Sequence, residues 1–302
     1  MTQADFIVLA GPTGVGKSVA ALELAEALNG EIVGADAFQV YSGLSILTAQ
    51  PDSTLRNRIP HHLIGCVSPA ESFDAGMYSK LAEATIADIR QRGKIPILTG
   101  GTGLYIKALT HGLIETPPID PQIREELEPL SLEELLRRLK EKDPETVRDI
   151  DMQNRRRVQR ALEICLQTGS PASELRKTWE KPSRPCKGVI LTRDRDELNE
   201  RIKSNVIRMV KLGVMEEIRS AVPAGPTACK AIGYEDALLH LEDQLDIPEW
   251  ISRTELASTR YAKRQLTWFR NQTTFSLLNL SAISNLRDSL MAALSSPPAQ
   301  SE

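Results

Sequence analysis

Several things are scarce in this chain, and each scarcity excludes something. Aromatic residues are only 4% of its 302 positions, and no apolar run approaches the roughly 20 residues that span a bilayer. The four cysteines, Cys66, Cys165, Cys186 and Cys229, lie far apart with no C-x-x-C pair, which argues against a zinc ribbon or a dithiol redox centre. Four reduced thiols in the cytosol is the plain expectation. The start, MTQADFIVLAGPTG, has no basic region before its short apolar stretch, so no signal peptide is expected. No internal repeat and no low-complexity tract interrupt the chain. The net charge of −3 argues against a protein that coats nucleic acid indiscriminately, but that balance averages over local clusters.

What is present is a chain that is 41% hydrophobic and long enough for a sizeable core and two domains. Its first hundred residues alternate strand and helix patterns. Phe6 to Ala10 predicts a strand, Lys17 to Leu28 a helix, Glu31 to Ala35 a strand, Tyr78 to Arg92 a helix and Lys94 to Thr99 a strand. Such alternation predicts an α/β fold whose parallel sheet presents ligand sites at the strand C-termini. From ETPPIDP (115–121) to KPSRPCKG (181–188) the pattern is charged and helical, which predicts an insertion over 119–187 within a discontinuous core of 1–118 and 188–285. Strand character returns at Gly188 to Thr192 and again at Thr274 to Leu280, with a long helical run between them, and 286–302 reads as a loose tail.

The strongest chemical signal is GPTGVGKS: Gly11, Pro12, Thr13, Gly14, Val15, Gly16, Lys17 and Ser18. The spacing G-x-x-x-x-G-K-[ST] between a strand and a helix lets backbone N–H groups close around phosphate oxygens. Lys17 is expected on a diphosphate, and Ser18 is the candidate hydroxyl ligand of Mg²⁺. Asp36 ends the second strand on the same rim; it reads equally as a turn cap and as a carboxylate that takes a proton from an attacking group. Gly100-Gly101-Thr102-Gly103 reads as a tight turn or as a second anion contact. Adjacent His61 and His62 diverge on any regular element, so a hydrogen-bonded structural role is expected rather than metal binding. Two basic clusters stand out. Arg156 and Arg160 share a helix face, beside Arg155 and Arg157; Arg260, Lys263 and Arg264 form the other, interleaved with Tyr261, Trp268 and Phe269. Each is either solvated surface or part of a clamp for a polyanion.

Taken in order, GPTGVGKS, DAFQVYSG, TAQP, PHHLI, ILTGGTGLYIKAL, NRRRVQRALE, AIGY and TRYAKRQLTWFR resemble the bacterial tRNA dimethylallyltransferases, also called tRNA isopentenyltransferases, almost from end to end. The resemblance implies a P-loop NTPase-like sheet with a helical insertion, and a monomeric cytoplasmic enzyme using Mg²⁺. Its donor would be dimethylallyl diphosphate, whose diphosphate departs. Its acceptor would be N6 of the adenosine 3′ of the anticodon in tRNA. Asp36, Lys17 and Thr102 would be catalytic. Contacts to tRNA would come from Asp36, Ala37, Phe38, Gln39, Thr102, Arg124, from Arg156, Arg157, Val158, Gln159 and Arg160, and from Lys230, Ala231, Ile232, Gly233, Tyr234 and Glu235.

This chain departs from the family's pattern at several places. Ala37 stands where serine is expected, and Ser42, Ser45, Leu47 and Gln50 replace a basic residue, Asp, Gly and Lys. The insertion carries Asp151-Met152-Gln153-Asn154 in place of H-P-N-D. Asn205 replaces a diphosphate-binding arginine, a role that Arg201, Lys203 or Arg208 could fill instead. Three other readings stay open at this level: a P-loop small-molecule kinase, a tRNA-binding homologue with weak or no transferase activity, and an adenylate-prenylating relative.

Overall fold

The structure is a computed structural model that describes residues 4–113, 119–177, 184–221 and 223–295. It opens with β1 (Phe6–Ala10), α1 (Lys17–Leu28), β2 (Gly30–Gly34), α2 (Ser53–Arg58), β3 (His61–His62), α3 (Ala75–Gln91), β4 (Ile95–Gly100) and α4 (Gly103–His111). Five helices follow: α5 (Pro121–Leu127), α6 (Leu132–Lys142), α7 (Pro144–Asp149), α8 (Arg155–Thr168) and α9 (Ala172–Lys177). The chain then returns to the sheet with β5 (Cys186–Thr192), α10 (Arg195–Lys211), α11 (Val214–Ser220), α12 (Tyr234–Leu241), α13 (Ile247–Gln272), β6 (Ser276–Asn279) and α14 (Leu286–Ser295). Two compact units result, residues 1–110 with 184–302, and residues 111–183.

All strand pairs are parallel, in the order β3-β2-β4-β1-β5-β6. This is the parallel α/β sheet that the alternating pattern predicts. β1 lies between β4 and β5, with Ile7 opposite Ile97 and Leu9 opposite Val189. Helices cover both faces, so the central strands are apolar almost throughout instead of alternating with polar residues. Phe6, Val8, Val33 and Leu98 point into one core layer with Tyr41, Tyr78, Trp250 and Phe269; Leu9, Ile32, Ile97 and Val189 point into the other with Leu24 and Leu290. β1, β2 and β4 end on one rim, where they deliver the glycine-rich loop, Asp36 and Gly101-Thr102. Two backbone bonds hold this rim together: Ala35 N–H to Thr99 O at 2.7 Å, and Thr102 N–H to Ala35 O at 3.1 Å.

Two boundaries differ from the sequence expectation. Residues 286–295, expected in a loose tail, form α14; Leu286, Leu290 and Leu294 recur every fourth residue, and the last two are buried in the layer containing Leu24. Residues 296–302 of that expected tail lie outside the described residues. The insertion runs over 111–183 instead of 119–187, because β5 starts at Cys186, where pairing with Phe6 begins.

The insertion has its own small core of Leu127, Leu135, Leu139, Val158 and Leu162. Four of its helices, α5 to α8, begin on side chains that accept N–H groups of their first turns: Asp120, Ser131, Asp143 and Asn154. No described helix in either unit is long and apolar enough to cross a membrane.

The histidine pair takes hydrogen-bonded positions. His61 Nδ1 lies 2.7 Å from Ile59 O, and His62 Nε2 lies 2.8 Å from Glu31. Glu31 also pairs with Arg92 and Lys94. The Arg92 hydrogen bond holds the Glu31 carboxyl well below the usual carboxylate range, against the opposing effect of its burial.

Candidate active site

α1 begins differently from the other capped helices. Its N-cap is Gly16, in the left-handed region at φ 104°, with no side-chain cap and no acidic residue in the first turn. Several other N-caps use an Asp, Ser or Asn oxygen, and α10, α11 and α12, which lack one, carry acids in their first turns. The first turn of any helix has N–H groups without intrahelical partners. Among the described residues no carboxylate is hydrogen-bonded to those of α1, and the helix dipole adds positive potential, so this end suits an external anion.

The loop leading into α1 is braced largely through its carbonyls. Arg201 Nε donates to Gly14 O at 2.9 Å, and Arg193 Nε donates to Val15 O at 2.8 Å. Lys17 Nζ folds back to Gly11 O (3.0 Å) and Pro12 O (2.8 Å). Burial pushes the Lys17 ammonium down to about 8, while the Asp36 carboxylate opposes that shift. An ammonium held only by neutral carbonyls in a buried setting gains strongly from a phosphate oxygen.

Gln265, from the middle of α13, joins two loops that the sequence treats separately. Its Oε1 accepts Thr13 N–H at 2.9 Å, and its Nε2 donates to Gly101 O at 2.8 Å. The close approach explains two glycines: a Cβ at position 101 would lie 2.1 Å from Gln265 Nε2, and one at 103 would lie 2.2 Å from the Trp268 ring. Gln265 and Arg193 are site residues that the sequence reading missed. The only sequence signal for Gln265 is a polar residue at a buried helix position, and that is indistinguishable from an ordinary core glutamine without the fold.

Of the two roles that the sequence left open for Asp36, the structure shows the turn cap. Its Oδ1 accepts the N–H groups of Phe38 (3.0 Å) and Gln39 (3.3 Å), which makes it a turn cap. Among the described residues no hydrogen bond is given to Oδ2, and the side chain lines a cavity of about 70 Å³ together with Thr13 of the phosphate loop, Tyr261, Ser258 and Thr254. Thr102 accepts Ala37 N–H through Oγ1 at 2.9 Å, fixing the turn that carries Asp36. Burial and the Asp36 charge push the Tyr261 hydroxyl up to about 12, so it stays protonated at neutral pH. Thr254 also lines this wall, but its Oγ1 is buried against Gly233 and among the described residues has no hydrogen-bond partner.

The remaining sequence-predicted residues divide clearly. Ala231 and Ile232 line the Asp36 cavity, and Lys230 and Glu235 are exposed nearby in the chain. Tyr234 is fully buried, so its side chain belongs to the core; Gly233 O accepts the Trp250 indole N–H at 2.9 Å. Gln39 spends its amide on Thr48 O and Ala49 O. Arg260, Lys263 and Arg264 are exposed on α13, with Arg264 over the Tyr261 ring at 5.7 Å. Phe269, expected among these cations as an interleaved aromatic, is instead a core residue on the opposite face, and Trp268 packs on Gly103. Ser18 stands in the first turn of α1. Of the cations that could replace an arginine at 205, only Arg201 is bonded to the phosphate loop, and the unanticipated Arg193 joins it.

In the insertion, Arg156 and Arg157 are exposed. Arg160 pairs with Glu163 at 3.3 Å, and Arg124 approaches the same carboxylate at 4.0 Å. Gln159 also reaches Glu163, at 3.3 Å. Arg155 is structural: its guanidinium donates to the carbonyls of Glu128 and Leu130 after α5. Val158 is buried in the insertion core and cannot offer its side chain to a ligand.

Comparison with known proteins adds the family. The IPP transferase family model matches residues 39–272. The tRNA dimethylallyltransferase 1 of Citrifermentans bemidjiense is 42% identical over 269 residues, covering 87% of this chain and 88% of that protein. The tRNA dimethylallyltransferase of Geobacter metallireducens is 42% identical over 274 residues, covering 87% and 89%. Among solved structures, the full-length tRNA isopentenylpyrophosphate transferase of Bacillus halodurans matches with a TM-score of 0.72 at 33% identity, covering 96% of this chain and 95% of that one. A eukaryotic dimethylallyltransferase acting on tRNA matches with a TM-score of 0.79 at 27% identity, covering 95% and 76%. With the glycine-rich loop, Asp36 and the helical insertion in the places described above, the chain belongs to the IPP transferase family.

Proposed function

We propose that this chain transfers a dimethylallyl group from dimethylallyl diphosphate to N6 of the adenosine immediately 3′ of the anticodon in tRNA. The observation that carries the reading is that the Asp36 carboxylate and Thr13 of the phosphate loop line one cavity, with a free carboxylate oxygen on one side and an uncapped helix N-terminus next to it.

An exocyclic amine conjugated to a purine is a poor nucleophile, so the donor must supply most of the driving force by ionising. N–H groups at the start of α1 and the Lys17 ammonium meet the negative charge that grows on the diphosphate. As the donor C1–O bond breaks and the N6–C1 bond forms, the amine proton passes to Asp36 Oδ2. The turn bonds to Oδ1 hold that carboxylate in place. Tyr261 would offer its hydroxyl to the acceptor's polar atoms. The acceptor base must first leave its stack, a cost of a few kcal/mol that these contacts and the exposed cations offset.

Mg²⁺ fits this donor set. Among the described residues no cluster of His, Cys, Asp and Glu could hold a metal alone. Mg²⁺ commonly takes one or two protein ligands and completes its shell with phosphate oxygens and water, and Ser18, in the first turn of α1, would be such a ligand. When bound, it would neutralise charge on the departing diphosphate. Arg124, Arg156, Arg157 and Arg160 of the insertion, and Arg260, Lys263 and Arg264 of α13, would contact tRNA phosphates. The working form is proposed to be a cytoplasmic monomer.

The test is one assay with labelled dimethylallyl diphosphate offered tRNA, AMP or no acceptor. Label in tRNA alone supports the proposal. Label in AMP would point to a nucleotide-prenylating enzyme, ATP turnover without tRNA to a kinase, and tRNA binding without transfer to a non-enzymatic homologue.

A further inference from the structure

Between β2 and α2 the chain makes a single helical turn, and both of its ends are satisfied by side chains from outside it. Within the turn Thr48 N–H donates to Leu44 O at 3.1 Å, Ala49 N–H to Ile46 O at 3.1 Å, and Gln50 N–H to Ser45 O at 2.9 Å. One turn does not persist alone, because fixing its backbone costs more than its few hydrogen bonds return. Its N–H end rests on one carboxylate of α11. Glu217 Oε1 accepts Ile46 N–H (2.8 Å) and Ser45 Oγ (3.0 Å), and Oε2 accepts Leu47 N–H (2.8 Å). The carbonyl end rests on one amide: Gln39 Nε2 donates to Thr48 O and Ala49 O, each at 3.0 Å.

This turn reaches the candidate site at two places. Leu47, Thr48 and Ala49 line the same cavity as Asp36. Gln39, which holds the carbonyl end, gives its own backbone N–H to Asp36 Oδ1 at 3.3 Å. A path of hydrogen bonds and one turn of backbone therefore runs from Glu217 through Gln39 to the Asp36 carboxylate. The phosphate loop is braced separately, by Arg193, Arg201 and Gln265. Three of this chain's departures from the family pattern, Ser45, Leu47 and Gln50, fall in this one turn, and Ser45 spends its hydroxyl on Glu217.

We propose that Glu217 is a positioning residue for the transfer step: it holds the 44–50 turn, and through Gln39 keeps the Asp36 carboxylate and the cavity wall beside it in register with the acceptor amine. The inference rests on the transferase reading above. Glu217 makes and breaks no bond. The N6 proton still passes to Asp36 as C1–O breaks and N6–C1 forms, but that requires the carboxylate and the amine to sit in reacting geometry, where a displacement of about 1 Å costs up to roughly 10²-fold. Because the diphosphate has its own braces, loosening the turn should slow transfer without weakening the donor's hold.

The test is single-turnover kinetics on the full chain with labelled dimethylallyl diphosphate and tRNA, with each variant first checked for folding by circular dichroism. Glutamine has the shape of glutamate but only one acceptor oxygen, so in Glu217→Gln an amide nitrogen meets a backbone N–H donor to donor. Its rate at saturating substrates should fall roughly 10- to 100-fold, with the half-saturating donor concentration within about twofold of the parent's. Glu216, exposed on the same helix and paired with Arg219, is the control, and Glu216→Gln should match the parent. A parental rate in folded Glu217→Gln overturns the inference while leaving the transferase reading standing, and so does a loss that appears in donor affinity instead of rate. Gln39→Met releases the turn from its other end. If both residues act through the one turn, the double variant should be no slower than the slower single one, and losses that multiply overturn the inference. Should Glu217→Gln fail to fold, Gln39→Met decides alone: a slowed rate at parental donor affinity supports the path, and a parental rate overturns it. A parent that transfers no label overturns the transferase reading and this inference with it.

Discussion

Helices α1 and α8 both start on a basic residue, and they treat their N-termini in opposite ways. α1 begins at Lys17 with no side-chain cap, whereas α8 begins with Arg155-Arg156-Arg157 and is capped by Asn154, whose Oδ1 accepts Arg157 N–H at 3.2 Å. Cations in a first turn oppose the helix dipole, at a cost of roughly 0.3–1 kcal/mol each. Arg155 recovers part of that through the carbonyls it caps, but Arg156 and Arg157 are exposed. The difference teaches what kind of anion each end suits. α1 leaves its first turn without a side-chain cap, which suits one compact anion. α8 satisfies its backbone internally and puts its charge on long side chains, which suit a phosphate backbone spread over many ångströms.

The sharpest way to break that distinction is at Lys17. Lys17→Ala should lower prenyl transfer by roughly 10²- to 10³-fold, as for loss of a positioned charge-stabilising donor, with little change in tRNA affinity. Equal losses of binding and turnover would show that the compact and extended anion sites are not separate. Next comes Asp36→Asn, which keeps the turn bonds through Oδ1 but loses the base. Single-turnover transfer should fall by about 10²-fold, and a near-parental rate would leave Asp36 as a turn cap alone.

A third experiment uses pH. With the free-enzyme Lys17 lowered to about 8, the group is charged below that pH and neutral above it, so apparent donor affinity should fall as pH rises through about 8. Donor KM measured from about pH 7 to about pH 9 should rise, while tRNA Kd, which depends on arginines that stay charged, should not follow it. A KM that stays flat would mean that Lys17 remains charged throughout. The smallest effect is expected in the insertion. Removing Arg156 and Arg160 together should weaken tRNA binding by a few-fold and reduce the slope of log K against log salt by about one to two units. Because Arg160 is already engaged by Glu163, Arg156→Ala should account for more than half of the slope change. An unchanged slope would return this helix face to ordinary solvated surface.

The departures at 45 and 50 show how far sequence comparison reaches and where it stops. Against the pattern, Ser45 and Gln50 read as lost charges. In the structure, Gln50 Nε2 donates to Gln39 O (3.0 Å) and Tyr41 O (2.8 Å), and Ser45 Oγ bonds Glu217, so both brace the loop that carries Asp36 and Leu47. Neither partner could be read from spacing, since Glu217 lies 172 residues from Ser45 in the chain. Tyr261, Thr254 and Gln265 likewise look like routine positions of a long amphipathic helix. Only the packing of α13 across the rim makes them part of the site.

The sequence by itself determined the sheet strands, the phosphate loop, the rim position of Asp36, the helical insertion and the family, because each is written in contiguous residues with a local physical rule. Periodicity fixes strand and helix, and glycine spacing fixes an anion loop. Tertiary structure alone decided which groups converge on that loop. It also decided that α14 is a helix packed on the core and not a tail, and that Phe269 is interior while Arg264 is exposed. Those outcomes depend on distances between segments far apart in sequence, and on which partner satisfies each buried polar group. Such choices are made by the folded chain as a whole and by no stretch of it alone.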